Sequence, residues 1–327
     1  MNARPKVLLT RTLPAQGMDL LEGHCDLDVN REDRVMSREA LKEKIKDKDG
    51  LICLLTDTID AAIIARALRL KIIANYAVGF NNIDLIEASK RKIPVTNTPD
   101  VLTEATADLT FGLLISIARR IVEADRFLHA GKFKGWAPEL LLGADIYGKI
   151  LGIIGMGRIG RAVARRARGF NMKIIYNDAH RLPIALENEY GAQYRTLGEL
   201  LRESDFVSIH VPLNDRTHHL ISDNEFRTMK NTAYLVNAAR GTIVDEKALV
   251  KALEEKEIAG CGLDVYENEP NVTAELLHMP NALLVPHIGS ASVETRAKMS
   301  LMVAENIIAV LVSHKRPANI VNPDIYD

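Results

Sequence analysis

Cysteine is scarce in this chain. Across 327 residues only Cys25, Cys53 and Cys261 occur, an odd number without metal-ligand spacing. That excludes a disulfide framework and gives no metal centre, and reduced thiols in a cytoplasmic protein are the expectation. Neither sign of charge is in excess: 42 basic residues face 43 acidic ones, for a formal net charge of −1. This balance speaks against nucleic acid or an anionic membrane as partner. Long hydrophobic runs are missing too. The uncharged stretch Leu276 to Val293 contains two His and two Pro, so it is no membrane span. The opening MNARPKVLLT runs almost directly into a strand without a signal-type apolar region. Internal repeats and low-complexity segments are absent. What remains, 47% hydrophobic and 26% charged, is the composition of a globular protein with the length of about two domains.

The stretch that organises the rest is Lys149 to Asp178. It opens on a branched apolar run, Ile150 to Ile154, short enough for a buried strand. Gly155-Met156-Gly157-Arg158-Ile159-Gly160 follows, and behind it Ile159, Ala162, Val163, Ala167 and Phe170 recur at helical spacing. A second strand, Met172 to Tyr176, leads to Asp178. Gly155 permits the tight turn, Gly157 lets a pyrophosphate approach the backbone, and Gly160 lets helix and strand pack closely. The helix N-terminus offers N–H groups to phosphates. Asp178, about 20 residues after the first glycine, is placed to accept hydrogen bonds from an adenosine ribose. The basic residues Arg158, Arg161, Arg165, Arg166 and Arg168 read as a solvated helix face.

Ahead of this stretch, Lys6–Thr10, Gly50–Leu55, Lys71–Tyr76 and Ile93–Asn97 are strand-like. They alternate with helical patterns near Ala15–Leu21, Ser37–Lys46, Ala61–Ala67 and Asp84–Arg91, which implies a parallel sheet covered on both faces. Pro99-Asp100 marks a boundary, and one long helical pattern from Thr103 through Ala118 towards Phe127 is expected to bridge two domains. Beyond Asp178, strands are expected at Phe206–Val211, Ala233–Asn237, Ala259–Val265 and Ala282–Val285. Thr196–Glu199 and Ser222–Glu225 read as capping boxes. A closing helix, Val293 to about Val312, is long enough to return to the first domain. The expected division is a discontinuous domain of residues 1–100 plus 293–327 and an inserted one of residues 101–292, with the active cleft between them.

The loops after these strands carry His210, Arg240, Glu269 and His287, and in open parallel sheets such loops bind ligands. A dinucleotide site beside an Arg, a carboxylate and a His points to hydride transfer coupled to proton transfer. Reducing a ketone puts negative charge on its oxygen, which a cation stabilises and an acid must protonate. His287 suits the acid, since imidazole titrates near neutrality. Glu269, if hydrogen-bonded to it, would favour the imidazolium and fix its tautomer. Arg240 offers a fork that can hold a carboxylate and polarise a carbonyl. His210 lies between apolar residues and has a structural role or one behind the site. His218 and His219 read as surface loop residues.

The set GMGRIG, HVPL, NAARG, LDVYENEP and PHIGSAS resembles the D-isomer-specific 2-hydroxyacid dehydrogenases, over nearly the whole chain and in the expected order. NYAVGFNNID and VLTEATADL are most similar to the glyoxylate/hydroxypyruvate reductases within that family. The resemblance implies two doubly wound parallel-sheet α/β domains, a Rossmann cofactor domain inserted in a flavodoxin-like substrate domain. It implies reduction of a small 2-oxo acid, such as glyoxylate or hydroxypyruvate, to the D-2-hydroxy acid, with Arg240, Glu269 and His287 catalytic. The cofactor would lie against Gly155, Met156, Gly157, Arg158, Ile159, Gly160 and Asp178, then His210, Pro212, Ala238 and Gly289, with Thr106 and Asp264 on its nicotinamide side. Val78 and Gly79 would hold the substrate carboxylate, with Leu54 or Leu55 lining the pocket. Trp136 resembles the tryptophan that reaches into the partner's site in reductase homodimers, or else packs at the dimer contact. Asp178-Ala179 stands where many similar reductases have a Ser-Arg pair and prefer NADPH, so NAD(H) is favoured here over NADP(H).

Alternatives are 3-phosphoglycerate dehydrogenase, whose TEATAD-region sequence differs, and an NAD(H)-sensing corepressor-like protein, which turnover of a 2-oxo acid would exclude. Short-chain dehydrogenase chemistry needs Tyr-x-x-x-Lys, and no Tyr here has Lys four residues on. Zinc alcohol dehydrogenase chemistry needs Cys/His ligands that three scattered cysteines do not supply.

Overall fold

The computed structural model describes residues 3–327. It divides into two units, the residues up to Leu102 together with Ser290–Asp327, and Thr103–Gly289.

The first unit is a five-stranded parallel sheet in the order β2-β1-β3-β4-β5, from β1 (Lys6–Leu9), β2 (Asp26–Val29), β3 (Gly50–Cys53), β4 (Ile72–Asn75) and β5 (Val95–Thr96). Its helices are α1 (Ala15–His24), α2 (Arg38–Lys44), α3 (Ala61–Arg66), α4 (Leu85–Lys90) and α12 (Val293–Leu311). The central strands are apolar on both faces because helices cover both. β2 was not expected. Its DLDV alternates acid with aliphatic, and it sits half-buried at the sheet edge, where propensity gives little signal.

α12 belongs to this sheet. Met299, Val303, Ala304, Ile307 and Leu311 share one core with Val7, Leu9, Leu21, Ile52 and Ile72. α1 crosses α12 closely at Gly17, where any Cβ would collide with Ser300, whose hydroxyl donates to the Pro14 carbonyl at 2.9 Å. The tail then lines the sheet edge: Val321 N–H donates to Val95, and Val95 N–H donates to the Asn322 side chain at 2.8 Å. Ending the chain at residue 292 should therefore unfold the first unit. At ~1.5–3 kcal/mol per buried apolar side chain, the loss rivals a domain's whole stability of ~5–15 kcal/mol. Calorimetry checks this, and residues 1–292 melting and turning over like the full chain would contradict it.

The second unit is a seven-stranded parallel sheet in the order β12-β11-β10-β9-β6-β7-β8. Its strands are β6 (Ile150–Ile154), β7 (Lys173–Asn177), β8 (Ala192–Tyr194), β9 (Phe206–Ile209), β10 (Tyr234–Asn237), β11 (Gly260–Leu263) and β12 (Ala282–Leu284). Helices α5 (Thr103–Ala118), α6 (Ile121–His129), α7 (Arg158–Gly169), α8 (Ile184–Tyr190), α9 (Leu197–Glu203), α10 (Asp223–Thr228) and α11 (Glu246–Glu254) complete it. The strand order reverses between β6 and β9, and β6 leads into the glycine loop. β8 is a second unexpected edge strand.

The single long helix expected from Thr103 is two helices. Arg120 takes φ 54°, and α6 starts anew after it. The segment that returns from α6 crosses the end of α5, where Ala144 N–H donates to the Ala118 carbonyl at 2.8 Å and satisfies one of its last acceptors. The arginine face of α7 is not simply solvated either. Arg165 and Arg166 pair with Glu104, and Arg166 also with Asp108, which clasps α7 to α5. The Thr196–Glu199 capping box forms as read. No helix among the described residues is long and apolar enough to cross a membrane.

Candidate active site

Two of the three motif glycines are required by the protein itself. Gly155 has φ 96°, and a Cβ there would lie 2.7 Å from the His210 carbonyl. At Gly160 a Cβ would strike the Gly155 carbonyl, so α7 could not pack on β6. Gly157 is different: a Cβ there would meet nothing within 4 Å. Its freedom faces a space a ligand can use, and no side chain caps α7, whose N-terminus it forms. The residues present thus fit a dinucleotide pyrophosphate. Asp178 leans over the same loop, taking the Met156 N–H at 2.7 Å and the His180 N–H at 3.1 Å. Each oxygen retains accepting capacity for a ribose hydroxyl. Arg181 is turned elsewhere, held bidentately by Glu187 at 2.9 and 3.0 Å.

His210 directly follows β9, with Nε2 2.7 Å from the Ser208 hydroxyl. Burial pushes its pKa down to about 3. It is therefore neutral at physiological pH, unsuited to act as an imidazolium acid. Pro212 and Ala238 occupy the loops after β9 and β10.

The ends of β10, β11 and β12 bring the ionisable residues together. His287 Nδ1 lies 2.8 Å from Glu269 Oε2, and the Tyr266 N–H donates to Oε1 at 3.1 Å. Burial acts to raise the Glu269 pKa, but the His287 hydrogen bond and charge, the Tyr266 N–H and Arg240 outweigh it and hold it below the usual carboxylate value. Arg240 is half-buried and near enough to Glu269 to feel its charge. Burial lowers its pKa and Glu269 opposes this. The guanidinium remains a cation regardless. Gly241 lets these loops approach, because a Cβ there would collide with the Tyr266 carbonyl carbon.

His287 sits at φ 51°, a conformation uncommon for a residue with a side chain. Asp264 holds it there. The Asp264 carbonyl accepts the His287 N–H at 2.9 Å, and its carboxylate takes the N–H groups of Ile288 at 2.6 Å and Gly289 at 2.8 Å. Burial raises the Asp264 pKa. Thr106 is buried beside this turn, its Oγ1 3.5 Å from where a Cβ on Gly289 would be.

In the first unit the loops expected to meet substrate are joined by asparagines. Asn82 donates to the Leu54 and Asp57 carbonyls, each at 3.0 Å. Asn75, fully buried, donates to the Gly79 carbonyl at 2.7 Å, and Asn97 donates to the Val78 carbonyl at 2.8 Å. Peptide planarity then turns the Gly79 N–H away from Asn97. Leu55 is exposed at the tip of its turn. Trp136 is 85% exposed.

Residues 111–289 match the family model described as "D-isomer specific 2-hydroxyacid dehydrogenase, NAD binding domain". The chain belongs to this dehydrogenase family. It is 52% identical to a glyoxylate reductase of Korarchaeum cryptofilum, over 98% of this chain and 97% of that one. It is 50% identical to a glyoxylate reductase of Thermococcus kodakarensis, over the same shares. Among solved structures, the NADPH-dependent glyoxylate/hydroxypyruvate reductase of Sinorhizobium meliloti, in complex with NADP and malonate, superposes with a TM-score of 0.85 at 32% identity, covering 98% of each chain. This dehydrogenase is thus an enzyme that uses a nicotinamide cofactor. Tyr266 escaped the sequence reading, although it stands inside LDVYENEP. Its hydroxyl donates to the Val285 carbonyl at 2.9 Å, two residues before His287, while its N–H holds Glu269. Asn75 and Asn82 leave no periodic signal either, the first a buried amide in an apolar strand and the second a half-buried turn residue.

Proposed function

We propose that this dehydrogenase reduces glyoxylate, hydroxypyruvate or a similar small 2-oxo acid to the D-2-hydroxy acid, with NADH as the favoured reductant. The observation that carries the reading is the 2.8 Å His287–Glu269 pair, with Arg240 close by, on strand ends of the sheet that bears the glycine loop. A bound nicotinamide would supply the hydride. His287 donates the proton to the carbonyl oxygen, Glu269 orients the imidazole and faces its positive charge, and Arg240 binds the carboxylate and draws charge onto the oxygen. In the opposite direction neutral His287 takes the hydroxyl proton. Asp264 and Tyr266 hold His287 and Glu269 in place. The family resemblance gives the Val78-Gly79 backbone the role of holding the substrate carboxylate, with Leu54 or Leu55 as the lining residue. Steady-state assays of glyoxylate, hydroxypyruvate, pyruvate and phosphohydroxypyruvate with each cofactor test this, and no turnover of any of them would defeat it.

Cofactor choice rests on Asp178. A carboxylate anchored by two backbone N–H groups cannot swing aside for a 2′-phosphate, and Arg181, the neighbouring cation, is occupied by Glu187. Wild type should show a higher kcat/KM with NADH, and Asp178→Ser should shift the ratio towards NADPH by ~1–3 kcal/mol. A wild type already better with NADPH would overturn this assignment.

A homodimer is the expected state. Leu128, Phe133, Trp136, Leu142 and Tyr147, on α6 and the segment after it, are exposed apolar residues that a second copy would cover. The free, buried thiols fit a cytoplasmic location.

A further inference from the structure

Glu246 is the first residue of α11, and its side chain is buried. A carboxylate seldom occupies such a place without work for both oxygens. Oε1 accepts the Glu267 N–H at 2.7 Å, and Oε2 accepts the Thr273 hydroxyl. Those two residues bracket the loop that carries Glu269. Between them Asn271 N–H closes on the Asn268 carbonyl at 2.8 Å, so the loop is a tight turn gripped at its entry and exit by one side chain. A second contact acts on the same entry point: the Glu267 carboxylate pairs with His219 Nε2, and the N–H of His219 donates to the Thr242 carbonyl at 2.8 Å. Asp245 lies on the other edge of this imidazole, 3.9 Å from Nδ1.

We propose that Glu246 is a positioning residue for the reaction, fixing the Glu267–Thr273 loop so that Glu269 meets His287. The proposal rests on the reading of Glu269 and His287 as the catalytic pair. Glutamine in place of Glu246 removes the charge and one acceptor: its oxygen can still take the Glu267 N–H, but its amide must donate to the Thr273 hydroxyl, so two charge-assisted bonds become two weaker neutral ones.

The test is a double-mutant cycle in the full-length protein, with Glu246→Gln, Glu269→Gln and the double variant. Reductive kcat/KM is measured across pH, cofactor affinity by NADH fluorescence, and folding by the melting curve. Glu246→Gln should lower reductive kcat/KM about tenfold, move the alkaline limb to lower pH and leave NADH affinity unchanged, while in the Glu269→Gln background it should add less than about twofold. A simple packing defect would instead act equally in both backgrounds. If Glu269→Gln leaves the pH profile untouched, the catalytic pair itself is wrong. If Glu269→Gln shifts the profile but Glu246→Gln does not, or the two effects multiply, the role of Glu246 is overturned. Thr273→Val removes one arm of the grip and carries the same test if Glu246→Gln does not fold.

Discussion

Replacing His287 by alanine should reduce the turnover of glyoxylate by ~10²–10⁴-fold at every pH, the usual worth of a positioned general acid. No neighbouring imidazole can substitute. His210 is pushed down to about 3 by burial and stays neutral, and His219 is engaged by Glu267. The companion measurement is the pH profile of Glu269→Gln. Glu269 lies below the ordinary carboxylate range of about 4.3, so it is ionised throughout neutral and alkaline pH. Its support for the imidazolium is therefore present there and is lost only as pH falls through its depressed pKa. The amide keeps size and hydrogen-bonding capacity but removes the charge. The alkaline limb of reductive kcat/KM should then move to lower pH, because the imidazolium loses the negative charge that faces it at 2.8 Å. Oxidation of a 2-hydroxy acid uses neutral His287 and should suffer less at neutral pH. Measuring both directions guards against slow product release masking the step. An alkaline limb that does not move, with chemistry rate-limiting, would reduce Glu269 to a loop residue.

Local signals were legible where one physical requirement dominates. The glycine loop is an example, since Gly155 and Gly160 each answer to a steric contact that any other residue would violate. The central strands were legible too, because burial on both faces leaves an unbroken apolar run. The edge strands β2 and β8 were not, since a half-buried DLDV or AQY shows neither the run nor a clean alternation. The break at Arg120 was hidden for another reason. The carbonyl of Ala118 at the end of α5 is taken by the N–H of Ala144, twenty-six residues beyond it, and the intervening helical pattern gives no warning of it. The site divides in the same way. Arg240, Glu269 and His287 are reactive side chains in loops, and their chemistry announces them. Asp264, Tyr266 and Glu246 act through backbone N–H and carbonyl groups, so their work depends on where the chain turns. Asp264, expected beside the nicotinamide, also holds with each carboxylate oxygen a backbone N–H of the turn after His287, a task that no spacing in the sequence signals.

Arg240→Gln should cost ~10²–10³-fold in reductive kcat/KM, the scale for removing a donor aimed at developing negative charge. The loop gives reason to expect so large an effect. Asn237 donates to the Arg240 carbonyl at 2.9 Å and accepts the Ala239 N–H at 3.1 Å, so the backbone beneath the guanidinium is rigid. Nη1 donates to the Ala239 carbonyl at 2.6 Å, which aims the fork before any substrate arrives. Burial makes the charge count for more, since little water screens it, and Glu269 supplies the nearby negative charge that keeps it in place. Glutamine retains polarity but neither charge nor fork. It should raise KM for the 2-oxo acid as well as lower kcat, because ground-state carboxylate and transition-state oxygen both lose a partner. Arg240→Lys restores the charge without the planar fork and should recover only part of the loss. NADH affinity, followed by fluorescence, should stay within about twofold in each variant, since the glycine loop and Asp178 are untouched. If Arg240→Gln keeps its KM and loses only a few-fold in kcat, the guanidinium is a structural brace for Glu269, and the substrate's carboxylate must be held by other groups.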